Sequence, residues 1–327
     1  MKTGGIIAVV AEHEDGKINR HTLEVTAFAL MAGASSGMRT VVIIPGNGMT
    51  EAGRLISEES GADVVLLESP HLENYTSEGY KAALHEFLME YVSGIVMVPH
   101  TQRGSEYAPG LAVRLGAACI TGVNGMKSGN GMVFTRQAFN GKLEMQFRPA
   151  ADFAVITVMP GAAKPEFCSS GPGSVAAVSS DIELKATRYL GVKKSGAEDS
   201  GIENADVIVS AGRGIGGVEN IGLITGLAGL FDRSAVGCSR IVCDRGWMEY
   251  GRQIGITGKT VSPKLYIACG ISGAVQHLAG MSGSGFIVAV NRDPEAPIFK
   301  HSDVCVVEDL NGFLPEFIEE IRKRRAG

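Results

Sequence analysis

The stretch Asp206-Val207-Ile208-Val209-Ser210-Ala211-Gly212-Arg213-Gly214-Ile215-Gly216-Gly217 decides the fold. A short apolar, β-branched run stops at a cluster of glycines and passes into a helical stretch predicted over Gly217 to Phe231, as when a parallel strand feeds a crossover helix. Four more runs of the same kind follow, at Ala235 to Ser239, Leu265 to Cys269, Phe286 to Val290 and Asp303 to Val307. Helices are predicted between or after them at Gly273 to Ser282 and Phe313 to Arg325. Upstream, Ile6 to Ala11, Thr40 to Pro45, Asp63 to Glu68 and Gly94 to Pro99 read as strands buried on both faces. They alternate with helical spacing over Thr22 to Ser36, Thr50 to Ser60 and Ser77 to Tyr91. The pattern roughens after Arg103, with a helix at Ser105 to Leu115 and strand-like runs at Gly131 to Phe139, Lys142 to Phe147 and Phe153 to Met159. The fold class is therefore α/β, with two tandem doubly wound domains. Residues 1–190 form the first and 203–327 the second, joined over 191–202 by the small, charged segment around Lys193 to Gly201.

Composition agrees. The chain has 327 residues, long enough for two cores, and its 44 glycines are about twice the usual share without any G-X-Y period. Thirty basic against 35 acidic residues leave a net charge of -5, so no global field favours nucleic acid or an anionic membrane. No apolar run nears the ~18 residues that span a bilayer, and the N-terminal residues carry neither a signal-peptide nor a transit pattern, so a cytoplasmic protein without membrane insertion is expected. Cys119, Cys168, Cys238, Cys243, Cys269 and Cys305 show no C-x-x-C spacing and read as buried reduced thiols.

Gly212, Gly214 and Gly217 make a G-x-G-x-x-G in the context of a dinucleotide fingerprint. The acidic residue that reads a ribose should end the second strand, but Ser239-Arg240 stands there, and Asp232 precedes that strand. Two readings stay open: glycines that serve only a tight turn, or a turn that lets backbone N–H groups or Arg213 approach a phosphate. Downstream, Ser272 stands where an N-cap would, with the N–H groups of Gly273 and Ala274 free at the carboxyl edge of the sheet. His277 lies about one turn in, where the helix end favours neutral imidazole able to donate to a ligand carbonyl. The alternative is a satisfied core histidine. Asn291 and Asp309 follow the next two strands, and Gly255-Ile256-Thr257-Gly258 is a loop with one hydroxyl. No nucleophile with its base, carboxylate dyad or metal-ligand set is evident. Trp247 reads as packing, His100 to Arg103 as a structural or interface element, and Arg322 to Arg325 as basic residues at a fraying helix end.

Three ordered blocks carry a resemblance: Gln253-Ile254-Gly255-Ile256-Thr257-Gly258-Lys259, then Gly270 to Met281, then Asn291-Arg292-Asp293-Pro294-Glu295-Ala296-Pro297-Ile298-Phe299. They resemble the alpha subunit of electron transfer flavoprotein, and Arg103 to Gly116 and Phe153 to Pro160 look like that family's first domain. The resemblance implies an adenine-nucleotide-hydrolase-like first domain and a second, FAD-binding domain of deoxyhypusine-synthase-like type. It also implies an FAD covered by a beta subunit, flavin dehydrogenase donors such as acyl-CoA dehydrogenases of fatty acid beta-oxidation, and a quinone oxidoreductase or other redox acceptor. An electron-bifurcating complex would be a variant of that assembly.

Carried over by matching position, Arg213, Ser239 and Arg240 would contact FAD, with Arg240 over the flavin ring. Ile254, Gly255, Ile256 and Thr257 would lie beside the ring, Thr257 reaching N5, and Ser272, Gly273, Ala274, Val275, Gln276 and His277 would line the cofactor. His277 would stand near the pyrimidine carbonyl, and Asn291, Asp309 and Leu310 would hold the adenosine end. Many members have Gln where this chain has Ile256, so a side-chain hydrogen bond is absent and backbone donors of that loop would have to serve. A fixed cation and a donor at the pyrimidine end suit a reducible flavin, whose added charge gathers at N1 and O2. The rival from another class is an NAD-dependent enzyme of deoxyhypusine-synthase-like fold, suggested by the glycine fingerprint.

Overall fold

The computed structural model describes residues 5–14, 16–127, 132–139, 143–167, 171–191 and 201–326. The linker reading over 191–202, the outer ends of the runs at Gly131 and Lys142, and Cys168 fall wholly or partly outside the described residues. The chain divides into two compact units, residues 1–192 and 193–327.

The first unit is built on a seven-stranded sheet. Its order is Val175–Ser179, Asp63–Glu68, Arg39–Gly46, Ile6–Val10, Gly94–Pro99, Phe153–Val158 and Ala118–Val123, all parallel. The central strand Ile6–Val10 is buried along its whole length, as a strand covered on both faces must be. Both edge strands, Ala118–Val123 and Val175–Ser179, escape the sequence reading: the first is interrupted by Thr121 and Gly122, and the second is a short run of four small apolar residues that is mostly exposed. The rough region resolves into a small antiparallel sheet of Gly125–Lys127, Val133–Ala138 and Leu143–Phe147. The helix predicted from Ser105 begins earlier, at Gln102, because Thr101 caps it by accepting from the Gly104 N–H. His100 and Thr101 act as ties within the unit: His100 Nδ1 bonds Thr157 Oγ1 at 2.7 Å and the Thr101 hydroxyl donates to the buried Glu12 at 2.6 Å.

The second unit has a five-stranded parallel sheet ordered Ser234–Cys238, Val207–Ala211, Leu265–Cys269, Ile287–Asn291, Val304–Val307. Strand order reverses beside Val207–Ala211, whose neighbours are the strand that follows it on one side and the Leu265–Cys269 strand on the other. Such a switch point opens a crevice at the carboxyl ends. Alternate strand residues feed two cores. Val209, Ala211, Ile267 and Cys269 pack under Ile221–Ala228 and Leu310–Ala326, while Ile208, Tyr266, Ala268 and Ala289 pack with Leu278 and Met281 of the Val275–Met281 helix.

Several expectations are corrected. The helix after the glycine motif runs only over Ile221–Ala228, because the preceding residues form two short 3₁₀ turns. The last helix starts earlier than expected, at Leu310, and runs to Ala326; Lys323 and Arg324 pair one turn back with Glu319 and Glu320, and Arg325 donates to the Leu230 carbonyl. Cys119 and Cys305 are exposed, because each lies on an edge strand, whereas Cys238, Cys243 and Cys269 are buried. Trp247 packs against the core with the Arg245 guanidinium over its ring at 5.0 Å. No helix among the described residues is long and apolar enough to cross a membrane, and none of their His, Cys, Asp or Glu side chains group as a metal site.

Candidate functional site

Register brings the strand ends level. Ala211 pairs with Cys238 on one side and Cys269 on the other, and Cys269 pairs with Val290. The next residues Gly212, Ser239 and Gly270 therefore leave the sheet at one edge, level with Asn291, which ends its strand still paired with Val307 rather than following it. A cavity of about 830 Å³ lies there, within the range of small-molecule sites. Its wall includes Arg213, Ser239, Arg240, Ile254 to Thr257, Ser272, Ala274, Gln276, His277 and Asn291. Sequence reasoning missed Asp244, Arg245, Arg292 and Asp293 in that wall; they lie about one helical turn past Arg240 or one and two residues past Asn291, and placement just past a strand was the available signal.

Gly273, Val275, Asp309 and Leu310 are absent from the cavity wall. Gly273 has φ +89° and abuts the next turn, where a Cβ would meet Ile298 N at 2.2 Å. Val275 is partly exposed, and Leu310 is buried in the core behind Gly270. Asp309 accepts from the Asn311 N–H at 2.9 Å and so serves its own helix start. Ser272 is no N-cap either. The helix begins at Val275 behind Ala274, and the Ser272 carbonyl accepts from Ile298 N at 3.1 Å. Among the described residues, the backbone N–H groups from Ile271 to Gln276 find no acceptor within the chain.

The glycine fingerprint does not offer the N–H groups of Gly212 and Gly214 to a phosphate. Gly212 N–H donates to the Cys269 carbonyl at 2.8 Å and Gly214 N–H to the Gly270 carbonyl at 2.9 Å. A Cβ on Gly212 would sit 2.2 Å from the Gly270 oxygen, so the glycines let two loops pack backbone to backbone. Their donors are spent, and Arg213 is what the motif contributes to the cavity wall.

The Ile254–Thr257 loop is locked from below. Ile254 N–H donates to Cys238 O, Gly255 N–H to Lys259 O and Ile256 N–H to Gln276 O at 2.9, 3.1 and 2.9 Å. The backbone donors expected to compensate for the missing glutamine at Ile256 are thus consumed at three positions. Thr257 N–H finds no acceptor among the described residues, and the Thr257 hydroxyl accepts from Gln253 Nε2 at 2.8 Å, leaving its own proton for another partner. Ile256 is 61 % exposed and offers the cavity an apolar contact. Arg240 is exposed, with its Nε 3.4 Å from Asp244 Oδ2, a solvent-screened pair.

His277 is buried, and its Nε2 lies 2.9 Å from the Tyr266 hydroxyl. Burial drives its pKa down to about 4, opposed by the Ile254 backbone, so the ring is neutral at pH 7. Desolvation, rather than the helix end, is the main cause. His277 Nδ1 and Ser239 Oγ are buried and lack partners within the chain. A native protein rarely leaves such groups unsatisfied, so their position in a cavity wall fits a bound polar ligand. The resident groups fit FAD in kind: donor N–H groups and Arg213 for a pyrophosphate, with Arg240, Thr257 and His277 for a heteroaromatic ring.

Residues 7–185 match the electron transfer flavoprotein domain, and residues 201–282 match the electron transfer flavoprotein FAD-binding domain. The electron transfer flavoprotein subunit alpha of Thermoanaerobacterium thermosaccharolyticum is 39% identical over 97% of this chain and 98% of its own length. That of Bacillus subtilis is 36% identical, covering 98% of each chain. Protein FixB of Clostridium saccharobutylicum is 31% identical over 96% of each.

Proposed function

The chain belongs to the electron transfer flavoprotein alpha-subunit family of FAD-binding electron carriers, and on that premise we propose that it is the FAD-holding half of a heterodimer closed by a beta subunit. The observation that carries this reading is the cavity at the switch point, walled by two orphaned polar atoms and by a segment of unpaired backbone donors. FAD supplies reversible uptake and release of electrons. The chain's own groups then have distinct duties. The backbone at Ile271, Ser272, Ala274 and Gln276, with Arg213, holds the phosphates, and Asn291 is braced for the adenosine side by donating to the Ile271 carbonyl at 2.9 Å. Thr257 and His277 donate to the ring, and Ile256 covers it with apolar surface. Arg240 sets a positive potential that Asp244 tempers.

In this reading electrons arrive from flavin dehydrogenases, acyl-CoA dehydrogenases among them, and leave to a quinone oxidoreductase or another redox acceptor in the cytoplasm. Domain limits at 1–190 and 203–327, with 191–202 as linker, belong to the same proposal. Co-expression with a beta subunit yields a yellow complex that releases FAD on denaturation. Colourless protein overturns the proposal, and release of NAD in place of FAD restores the NAD-dependent rival.

A further inference from the structure

Behind the cavity wall two buried neutral rings share one proton position. The Tyr266 hydroxyl and His277 Nε2 stand 2.9 Å apart, their ring centroids 6.2 Å apart and their planes inclined at 59°. Tyr266 is fully buried on the Leu265–Cys269 strand, and His277 lies in the first turn of the helix packed over that face. A neutral imidazole carries its proton on one nitrogen only, so whichever partner donates across this contact fixes the tautomer. A phenol is a stronger acid than a neutral imidazole N–H, and an imidazole nitrogen is a better acceptor than a phenol oxygen. The geometry agrees: among the described residues His277 Nε2 is the one group in hydrogen-bond geometry with the Tyr266 hydroxyl, so a donating Nε2 would leave the phenol proton without an acceptor in geometry. Ser210 Oγ, on the adjoining strand, makes no hydrogen bond by geometry. With Tyr266 donating, the histidine proton resides on Nδ1, the atom that has no partner in hydrogen-bond geometry.

We propose that Tyr266 is a positioning residue that holds His277 as its Nδ1–H tautomer, so that the cavity wall presents a fixed N–H donor to a carbonyl of its ligand. The ligand's identity rests on the FAD reading above; the tautomer does not. A flavin carbonyl at that donor gains negative charge on reduction, so a locked donor favours the reduced cofactor. Without the tyrosine hydroxyl, the ring can offer either a donor or an acceptor.

The test is a long-range proton–nitrogen spectrum of ¹⁵N-histidine-labelled full-length chain, co-purified with its beta subunit, with the His277 signals assigned by their loss in His277→Gln. The wild type should show the proton on Nδ1. Tyr266→Phe, which removes only the hydroxyl, should abolish the single-tautomer pattern and retain FAD. It should also lower the two-electron reduction equilibrium of the bound flavin about tenfold, near 30 mV. A wild-type proton on Nε2, or an unchanged tautomer and potential in Tyr266→Phe, overturns the proposal, and the wild-type spectrum decides even if the variant fails to fold. Colourless protein with the proton on Nδ1 supports the positioning role while sinking the FAD reading, so the two failures are separable.

Discussion

Acid should loosen the second unit through His277. The unfolded side chain titrates near 6.5, and in the fold burial holds it at about 4. Between those values the unfolded chain binds the proton that the folded chain refuses, so stability rises with pH there. The contribution is fully present above pH 6.5 and disappears as pH falls toward 4. A gap of about 2.5 units at ~1.4 kcal/mol each comes to about 3 kcal/mol, a large share of a domain's stability. Trp247 is the only tryptophan and packs in the second unit's core, so its fluorescence during urea unfolding reports that unit. His21 is similarly held at about 4 by burial and by the nearby Arg20 and His100 charges, but it belongs to the first unit, which has no tryptophan. Wild type and His277→Gln should be compared at pH 7 and pH 4. Carboxylate titrations are common to both and cancel, and the wild type should lose about 3 kcal/mol more than the variant. Parallel pH profiles for the two proteins would refute the reasoning.

Gly255→Ala should abolish FAD binding, because Gly255 has φ +141° and the new Cβ would lie 2.7 Å from the Gln276 oxygen. The measurement is flavin absorbance of the purified complex, and retained stoichiometric FAD would contradict it. Arg240→Ala should keep FAD and lower its one-electron potential by about 40 mV, since an exposed charge at ~4 Å is worth about 1 kcal/mol. Potentiometric titration reads it, and an unchanged potential would remove Arg240 from the ring. In alkylation kinetics followed by peptide mass spectrometry, Cys119 and Cys305 should react well before the buried Cys238, Cys243 and Cys269; equal rates would refute the assigned exposures.

Periodic information was legible in the sequence because it is local. Buried parallel strands demand continuous apolar runs, so Ile6–Val10 and Leu265–Cys269 declare themselves. Their turns follow, and with them the sheet edge that carries Ser239, Gly270 and Asn291. The ordered blocks from Gln253 to Phe299 were equally legible, since family identity is written along the chain. Tertiary structure alone decided which donors are spent. Gly212 and Gly214 look available until Cys269 and Gly270, more than fifty positions away, supply their acceptors. It also decided that Ser272 is no cap, that Asp309 bonds the start of its own helix while Leu310 is buried in the core, and that Cys119 and Cys305 are exposed at edges. Residue type and spacing set what a side chain can do, whereas hydrogen-bond satisfaction and burial depend on neighbours remote in sequence. The Tyr266 and His277 pair belongs to the second kind: strand alternation gives the tyrosine its face, and only helix-on-sheet packing brings its hydroxyl to the histidine.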